Sequence, residues 1–569
     1  MKSLSFTTAL FLSTALSVAA FGAFQDDEIN SLQGKLLSAT DARDADNAAF
    51  DEAIKAKKYE ALRFLGQIGG DACQRLMPFL RSESVEARVW ASKGAMLCHD
   101  KALTPYILAQ METASDKTPW VEALGYTGAD EAKTSITAVL NNAQQADEQR
   151  VALFALVQSV AYDRTNAADI PALDIGALLH IAVKDNASGG SDTAYAASYL
   201  LARLQNVQDT LSFEVFSPIL SDLLSNSHKR TGVALETVRT LTRVAGAYGN
   251  QSVQLLLAAV EEEQVIIRHE AIRSMGQLSD STTKAILLKL ADSDAEPAVI
   301  RHLAVDALGR RSETNPDLIG VLEQYVSDDN RWVATTALRW LGQRDAVAAN
   351  EVAAEWLSGA DYYLAFQALI ALSGSDEGKA VLQAYADANP DTVRGFEAAV
   401  ALDPSLEAIT KPRKTPSQSV LSAYEGRELI LETSRGTVCI AMTGDAPYAA
   451  TNFMQLADVG KLDGMLWHRV IPNFVSQAGQ VEDKDLNNWG SIREEWGGEH
   501  RIGTVGVATA GRDTGTVQFF INTGYNMHLD NRYTVFGEVY GSMNVVYALE
   551  EGDVISKAYT AKAGEAGCK

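Results

Sequence analysis

Cysteine, positive charge and long apolar runs are all scarce in this chain. Four cysteines in 569 residues exclude a disulfide-dense scaffold. None of them sits in a CxxC or Cys/His spacing that would point to zinc. Lys and Arg number 49 against 73 Asp and Glu, a net charge of −24 at pH 7. Bulk positive charge is therefore missing for displacing phosphate counterions or for docking on anionic lipid, which argues against nucleic-acid and membrane-surface binding. Hydrophobic residues at 47% and charged residues at 21% are ordinary for globular proteins and exclude wholesale disorder. The length suggests three or four domains, unless repeats break that count.

The one uncharged stretch long enough to cross a bilayer opens the chain. Met1-Lys2 precedes an uncharged run from Leu4 to Phe24, closed by Ala19, Ala20, Gly22 and Ala23 and followed by Asp26, Asp27 and Glu28. This is the layout of a signal peptide over residues 1–24, with export to the periplasm as the expected destination. The alternative is an uncleaved anchor, which the interspersed Ser5, Thr7, Thr8, Ser13, Thr14 and Ser17 weaken. Export makes the cysteines informative. Pairing within regions, Cys73 with Cys98 and Cys439 with Cys568, asks least of domain docking; four buried thiols are the other option.

Over residues 25–405 apolar positions recur at three- and four-residue spacing. The windows Ile266–Gly276, Val299–Gly309 and Trp332–Gly342 follow one another at 33 residues, and Leu364–Gly374 lies 32 further on. Weaker copies occur at Ala87–Leu97 and Arg150–Val160, and a second amphipathic run, such as Thr283–Leu290 or Leu318–Val326, lies between copies. Two helices per period predict an α-solenoid, because one helix pair cannot bury its apolar face alone. Ala271, Ala304, Ala337 and Ala368 at the helix centres would let neighbours approach. The short period and small central residues resemble HEAT repeats, which implies a surface for a protein partner. His269 and His302 occupy equivalent positions and read as one repeated structural slot.

Residues 406–426 contain Pro412 and Pro416 and a basic cluster of Lys411, Arg413 and Lys414, and read as a solvated, semi-extended linker. From 427 to 569 the periodicity changes. Glu428–Thr433 and Thr437–Met442 alternate around Ser434-Arg435-Gly436 as a hairpin, and Asp445–Val459 reads as a helix. Short Gly-punctuated strands follow, which predicts a closed antiparallel β-barrel with flanking helices.

Two stretches in this region carry the chemistry: Trp467–Gly479 (WHRVIPNFVSQAG) and Gly506–Val539, which contains VQFFINT and MHLDNRYTVFGEV. Together, in this order, they resemble the cyclophilin-type peptidyl-prolyl cis/trans isomerases over about 427–560, and the bacterial branch most closely. The resemblance implies Arg469 as the catalytic arginine, with Gln477 beside it. It implies that Phe474, Val475, Phe520 and Leu529 line a proline pocket. Ala508, Thr509, Ala510, Gln477 and Gln518 would contact the peptide backbone or hold Arg469, and His528 and Tyr533 would flank the pocket. His468 and Phe519 read as structural. Ala478 stands where the family usually has Gly, which implies strain at a close backbone approach. Val475 is shorter than the usual Met and implies a looser wall. His528 replaces the usual Trp or Phe, which weakens the expectation of cyclosporin binding.

The chemistry follows from the amide itself. Rotation about an X–Pro bond faces a barrier of ~18–20 kcal/mol and takes tens to hundreds of seconds unaided. In the twisted amide the nitrogen lone pair is no longer shared with the carbonyl and becomes a better acceptor. A fixed guanidinium aimed there stabilises the transition state more than the planar ground state. No cofactor and no metal is required. The expected protein is an exported prolyl isomerase acting on proline-containing polypeptides, with a helical scaffold for client or partner docking. The alternative is a module that binds proline peptides on an interaction scaffold without turnover.

Overall fold

The computed structural model describes residues 32–161, 165–184, 192–229, 231–311, 316–406, 411–413, 416, 418–483 and 489–565. The expected signal peptide lies outside the described residues. Among the described residues no helix is long and apolar enough to cross a membrane.

Helices occupy the chain as far as Tyr424 and strands begin at Arg427. The repeat windows fall on helices Val265–Met275, Ala298–Arg310, Arg331–Arg344 and Tyr362–Leu372. The runs between them form Ser281–Ala291, Pro316–Tyr325, Ala346–Ser358 and Asp376–Ala388. The polar breaks supply the caps. Asp280, Asn330, Asp345 and Asp361 each accept two backbone N–H bonds from the first turn that follows. The weak early copies are helical as well, within Val85–Cys98 and Ala146–Val160. The glycine that ends each window has a packing role in two of the copies. A Cβ on Gly276 would stand 2.8 Å from the Ala307 carbonyl oxygen, and one on Gly309 would stand 2.1 Å from the Trp340 ring. Successive repeats therefore meet at a bare backbone as well as at alanines.

The first helices of the repeats pack on one another in a continuous row from Ala61–Ile68 to Val393–Leu402. Near the start of this row Cys73 and Cys98 form a disulfide, one of the two pairings expected. Cys439 is disulfide-bonded, and Cys568, its expected partner, lies outside the described residues. Replacing Cys73 and Cys98 together by alanine frees a 25-residue separation in the unfolded chain. The expected loss is about 2–4 kcal/mol, read from the urea midpoint.

Eight strands follow: β1 Arg427–Thr433, β2 Gly436–Met442, β3 Leu466–Ile471, β4 Val475–Gln480, β5 Thr504–Val507, β6 Phe519–Asn522, β7 Val535–Val539 and β8 Ile555–Lys562. They form one antiparallel sheet in the order β3-β4-β6-β5-β7-β2-β1-β8. Backbone bonds between Met465 and Ile555 and between Trp467 and Asp553 join its two edges, which draws the sheet into a barrel. Phe453, Trp467, Phe519 and Phe536 fill the interior, and helix Pro447–Asp458 packs against the sheet. The β1–β2 hairpin forms as expected, but its connection is only Ser434-Arg435, because Gly436 already pairs with Thr433 as the first residue of β2.

The barrel is not tethered at a distance. Nearly every helix of the continuous row reaches it. Arg63 Nη2 donates to the Trp496 carbonyl at 2.7 Å and Arg512 Nη1 to the Gln67 carbonyl at 2.6 Å. His99 stacks on Trp496, Asn531 donates to the Tyr126 hydroxyl, and Gln158 donates to the Met527 carbonyl. Further along, Arg331 Nη2 donates to the Gly552 carbonyl at 2.9 Å, and Arg394 pairs with Glu482. The cores interlock: Met527 belongs to the helical cluster and Trp332 to the barrel cluster. The expected linker is exposed at Lys411 and Pro412, but it is neither semi-extended throughout nor free of the barrel. Arg413 lies 4.3 Å over the Trp489 ring and donates to Asn452 and to Gln455 Oε1, and the backbones at 411–413 and Ser491 are bonded. Gln418–Tyr424 is a helix. Proline and basic residues read as solvated in sequence, but here a guanidinium finds an aromatic face and two amides.

Candidate functional site

β3 and β4 run antiparallel, so Arg469 lies opposite Gln477. Side chains at paired positions share a face of the sheet. Arg469 Nη1 donates to Gln477 Oε1 at 3.2 Å, and Gln477 Nε2 donates to Gln518 Oε1 at 3.0 Å. The guanidinium carbon lies 5.6 Å from the Phe474 ring centroid. Arg469 is exposed, yet these contacts give it one direction. Partial desolvation lowers its pKa from the ordinary arginine value, with Glu551 and Tyr533 pulling the other way.

Beside it, Val475, Phe520 and Leu529 form a small apolar cluster separate from the barrel core, with Phe474, Ala508 and Tyr533 packed against it. Tyr533 meets Phe520 edge-on, with centroids 5.9 Å apart. The His528 ring stacks on Phe474 at 5.8 Å. The loop after β5 closes one side: the Ala508 N–H donates to the Gln518 carbonyl at 3.0 Å, and the Ala510 N–H donates to Thr514 Oγ1 at 2.9 Å. Thr509 lies between them in the chain and is half-buried. Every residue expected at the site thus falls in one neighbourhood, and Phe519 and His468 turn away from it. Phe519 packs on Trp467 and Phe453 inside the barrel, while His468 meets Phe366 of the helices edge-on.

One expectation is corrected. Ala478 causes no backbone strain, because it sits in β4 with no left-handed torsion and its side chain is buried in the barrel core. The close approach belongs to Gly479, at φ +131°, where a Cβ would stand 2.6 Å from Gln518 Cγ. A side chain there would displace the glutamine that holds Gln477.

The sequence reading missed three groups behind the site. His500 stacks on the inner face of Phe520 at 5.6 Å, and burial lowers its pKa to about 4, so it is a neutral packing group. Glu551 accepts from the Val470 N–H and the Tyr363 hydroxyl, both at 3.0 Å, and burial pushes its pKa up to about 7. Glu494 is buried, accepts from the Thr534 hydroxyl at 2.6 Å, and is likewise raised to about 7 by burial. A carboxylate in sequence gives no sign of burial, and only long-range packing puts these two inside.

Glu494 supplies a pH test. The folded chain keeps this proton between about pH 4.5 and 7, where the unfolded chain has lost it. Its contribution to stability therefore falls as pH rises through that window and levels off above it. Glu494→Gln removes that slope. The stability of Glu494→Gln minus that of the parent is expected to grow by on the order of 1–3 kcal/mol from pH 5 to pH 8 in urea titrations.

An arginine held by two glutamines stands beside a small apolar cluster, with loop backbone close by, on an eight-stranded antiparallel sheet. The chain belongs to the cyclophilin-type peptidyl-prolyl cis-trans isomerases. The family model described as cyclophilin type peptidyl-prolyl cis-trans isomerase/CLD matches residues 429–563, and a HEAT-repeat model matches 217–309. A peptidyl-prolyl cis-trans isomerase of Synechococcus elongatus is 40% identical over 136 residues, 22% of this chain and 92% of that protein. Peptidyl-prolyl cis-trans isomerase B of Bacillus subtilis is 39% identical over 116 residues, 20% of this chain and 81% of that protein. Among solved structures, a Cryptosporidium parvum cyclophilin is 19% identical, with a TM-score of 0.21, covering 24% of this chain and 97% of its own.

Proposed function

We propose that this isomerase acts on X–Pro bonds of exported or unfolded polypeptides in the periplasm, with Arg469 as the catalytic residue. The observation that carries the reading is the Arg469–Gln477–Gln518 chain of hydrogen bonds beside the Val475, Phe520 and Leu529 cluster. The proline ring enters that cluster. The peptide backbone on either side is met by Gln477 and by the loop 508–510. With the ring held, the residue before proline rotates, and the Arg469 guanidinium donates to the nitrogen lone pair that the twist uncovers. Arginine suits this task because it stays charged and its fork is preorganised. The step needs no proton transfer, so His468 and His528 have no acid–base role.

Export rests on the sequence of residues 1–24 alone. The row of helices that a partner would meet on a repeat scaffold is taken by the barrel, so docking of a client or partner falls to the outer helices. The test is exchange of a tetrapeptide containing one X–Pro bond, followed with the full chain. Turnover well above the uncatalysed rate supports the reading. Binding of the peptide without acceleration would leave only a proline-recognition module.

A further inference from the structure

The proline pocket is gripped from the helical repeats on both sides of Phe474. On one side Asn473 takes a left-handed conformation, φ +61°. Its Nδ2 donates to the Ile266 carbonyl at 2.8 Å, and its own carbonyl accepts from Arg239 Nη2 at 2.8 Å. On the other side is His528, whose ring stacks on Phe474 and whose Nδ1 lies 2.6 Å from the Tyr199 hydroxyl. The barrel thus leaves two neighbours of its pocket aromatic to be placed by residues more than 200 positions away.

Those helical residues belong to one buried array. Glu236, with a fully buried side chain, accepts from Arg239 Nη1 at 2.5 Å and from Arg203 Nη1 at 3.0 Å. Arg239 Nε also donates to Glu270 at 3.3 Å. The Arg203 guanidinium lies 3.2 Å over the Tyr199 ring. Charges buried this way hold only when each is paired, and a satisfied network in low dielectric is rigid. Tyr199 is itself fully buried, so its hydroxyl has no freedom to follow a moving His528. In either imidazole tautomer the bond fixes the ring plane, and the ring plane sets the rim on which Phe474 rests.

We infer that Tyr199 of the helical repeats is a positioning residue for the proline pocket, acting through His528, while Arg239 holds the other side through Asn473. The repeats then set how tightly an X–Pro peptide is bound, beyond supporting the barrel. This rests on the isomerase reading above and adds a second component to that site.

The experiment is a double-mutant cycle in the full chain, with kcat and KM measured on an X–Pro tetrapeptide and folding checked by thermal melting. Tyr199→Phe preserves ring volume and removes only the hydroxyl. It is expected to raise KM about fivefold, the size of one neutral hydrogen bond, with kcat changed less than about twofold. In a His528→Phe background the same substitution is expected to change KM no further, because its target is gone. An unchanged KM for Tyr199→Phe, or the same factor in both backgrounds, overturns the inference; the latter would mark a general effect on stability. If the parent turns over the peptide and Tyr199→Phe is indifferent, only this inference falls. If the parent does not turn it over, the isomerase reading falls first and this falls with it.

Discussion

Arg469→Ala lowers kcat/KM for X–Pro exchange about ten- to a hundredfold, and most of the loss is in kcat. The estimate comes from a single charge-assisted hydrogen bond, roughly 1.5–3 kcal/mol, at about 1.4 kcal/mol per factor of ten. The bond forms only when the amide twists, so the ground-state complex loses little and KM stays near its parent value. Val475, Phe520 and Leu529, proposed above to hold the ring, are untouched by the change. Arg469→Lys restores little, because a lysine point charge lacks the fork that reaches Gln477 and the substrate nitrogen together. The remaining acceleration belongs to the pocket and to orientation. Exchange spectroscopy on a proline tetrapeptide measures both constants, and an alanine variant with the parent's kcat would remove Arg469 from the mechanism.

The site was legible through the two stretches Trp467–Gly479 and Gly506–Val539, whose resemblance to the cyclophilin family implied its residues. The structure adds the local reason they meet: Arg469 and Gln477 sit on adjacent strands joined by a short turn. The solenoid was legible where its 33-residue register is intact, since each window carries its own helix, cap and closing glycine. The docking of barrel on helices was not. Arg63 meets Trp496 across 433 residues, and Tyr199 meets His528 across 329. Such contacts are single polar groups with no period, and in sequence Tyr199 is only one more aromatic on a helix. The same holds for Glu494 and Glu551, whose burial arises from parts of the chain that local pattern does not join. Arg413 misled for the opposite reason: a basic residue among prolines looks solvated until the Trp489 face that covers it is in place.

The joint between the two parts is where stability is most exposed to a single change. Trp332 leads the helix Arg331–Arg344, yet it is 1% exposed and packs in the barrel's core cluster. Its ring stacks on His302 of the preceding repeat with centroids 4.1 Å apart, so one side chain bridges two repeats and the barrel. Its neighbours Asn330 and Arg331 bond Glu550 and the Gly552 carbonyl, next to the Glu551 that backs Arg469. Trp332→Ala opens a cavity at that junction, and the expected loss is about 3–5 kcal/mol, the cost of truncating a buried tryptophan. The form of the loss carries more information than its size. Helices and barrel sharing a core should melt as one unit in the parent, with far-ultraviolet ellipticity and aromatic signals superimposing. Without the indole the shared surface shrinks, and the helical signal should separate from the barrel signal on the temperature axis. Barrel loss should then precede helix loss, because the barrel's small core depends on its cradle while the repeats retain their own stacking. A variant that melts in one step at the parent temperature would mean that Trp332 is dispensable to the joint.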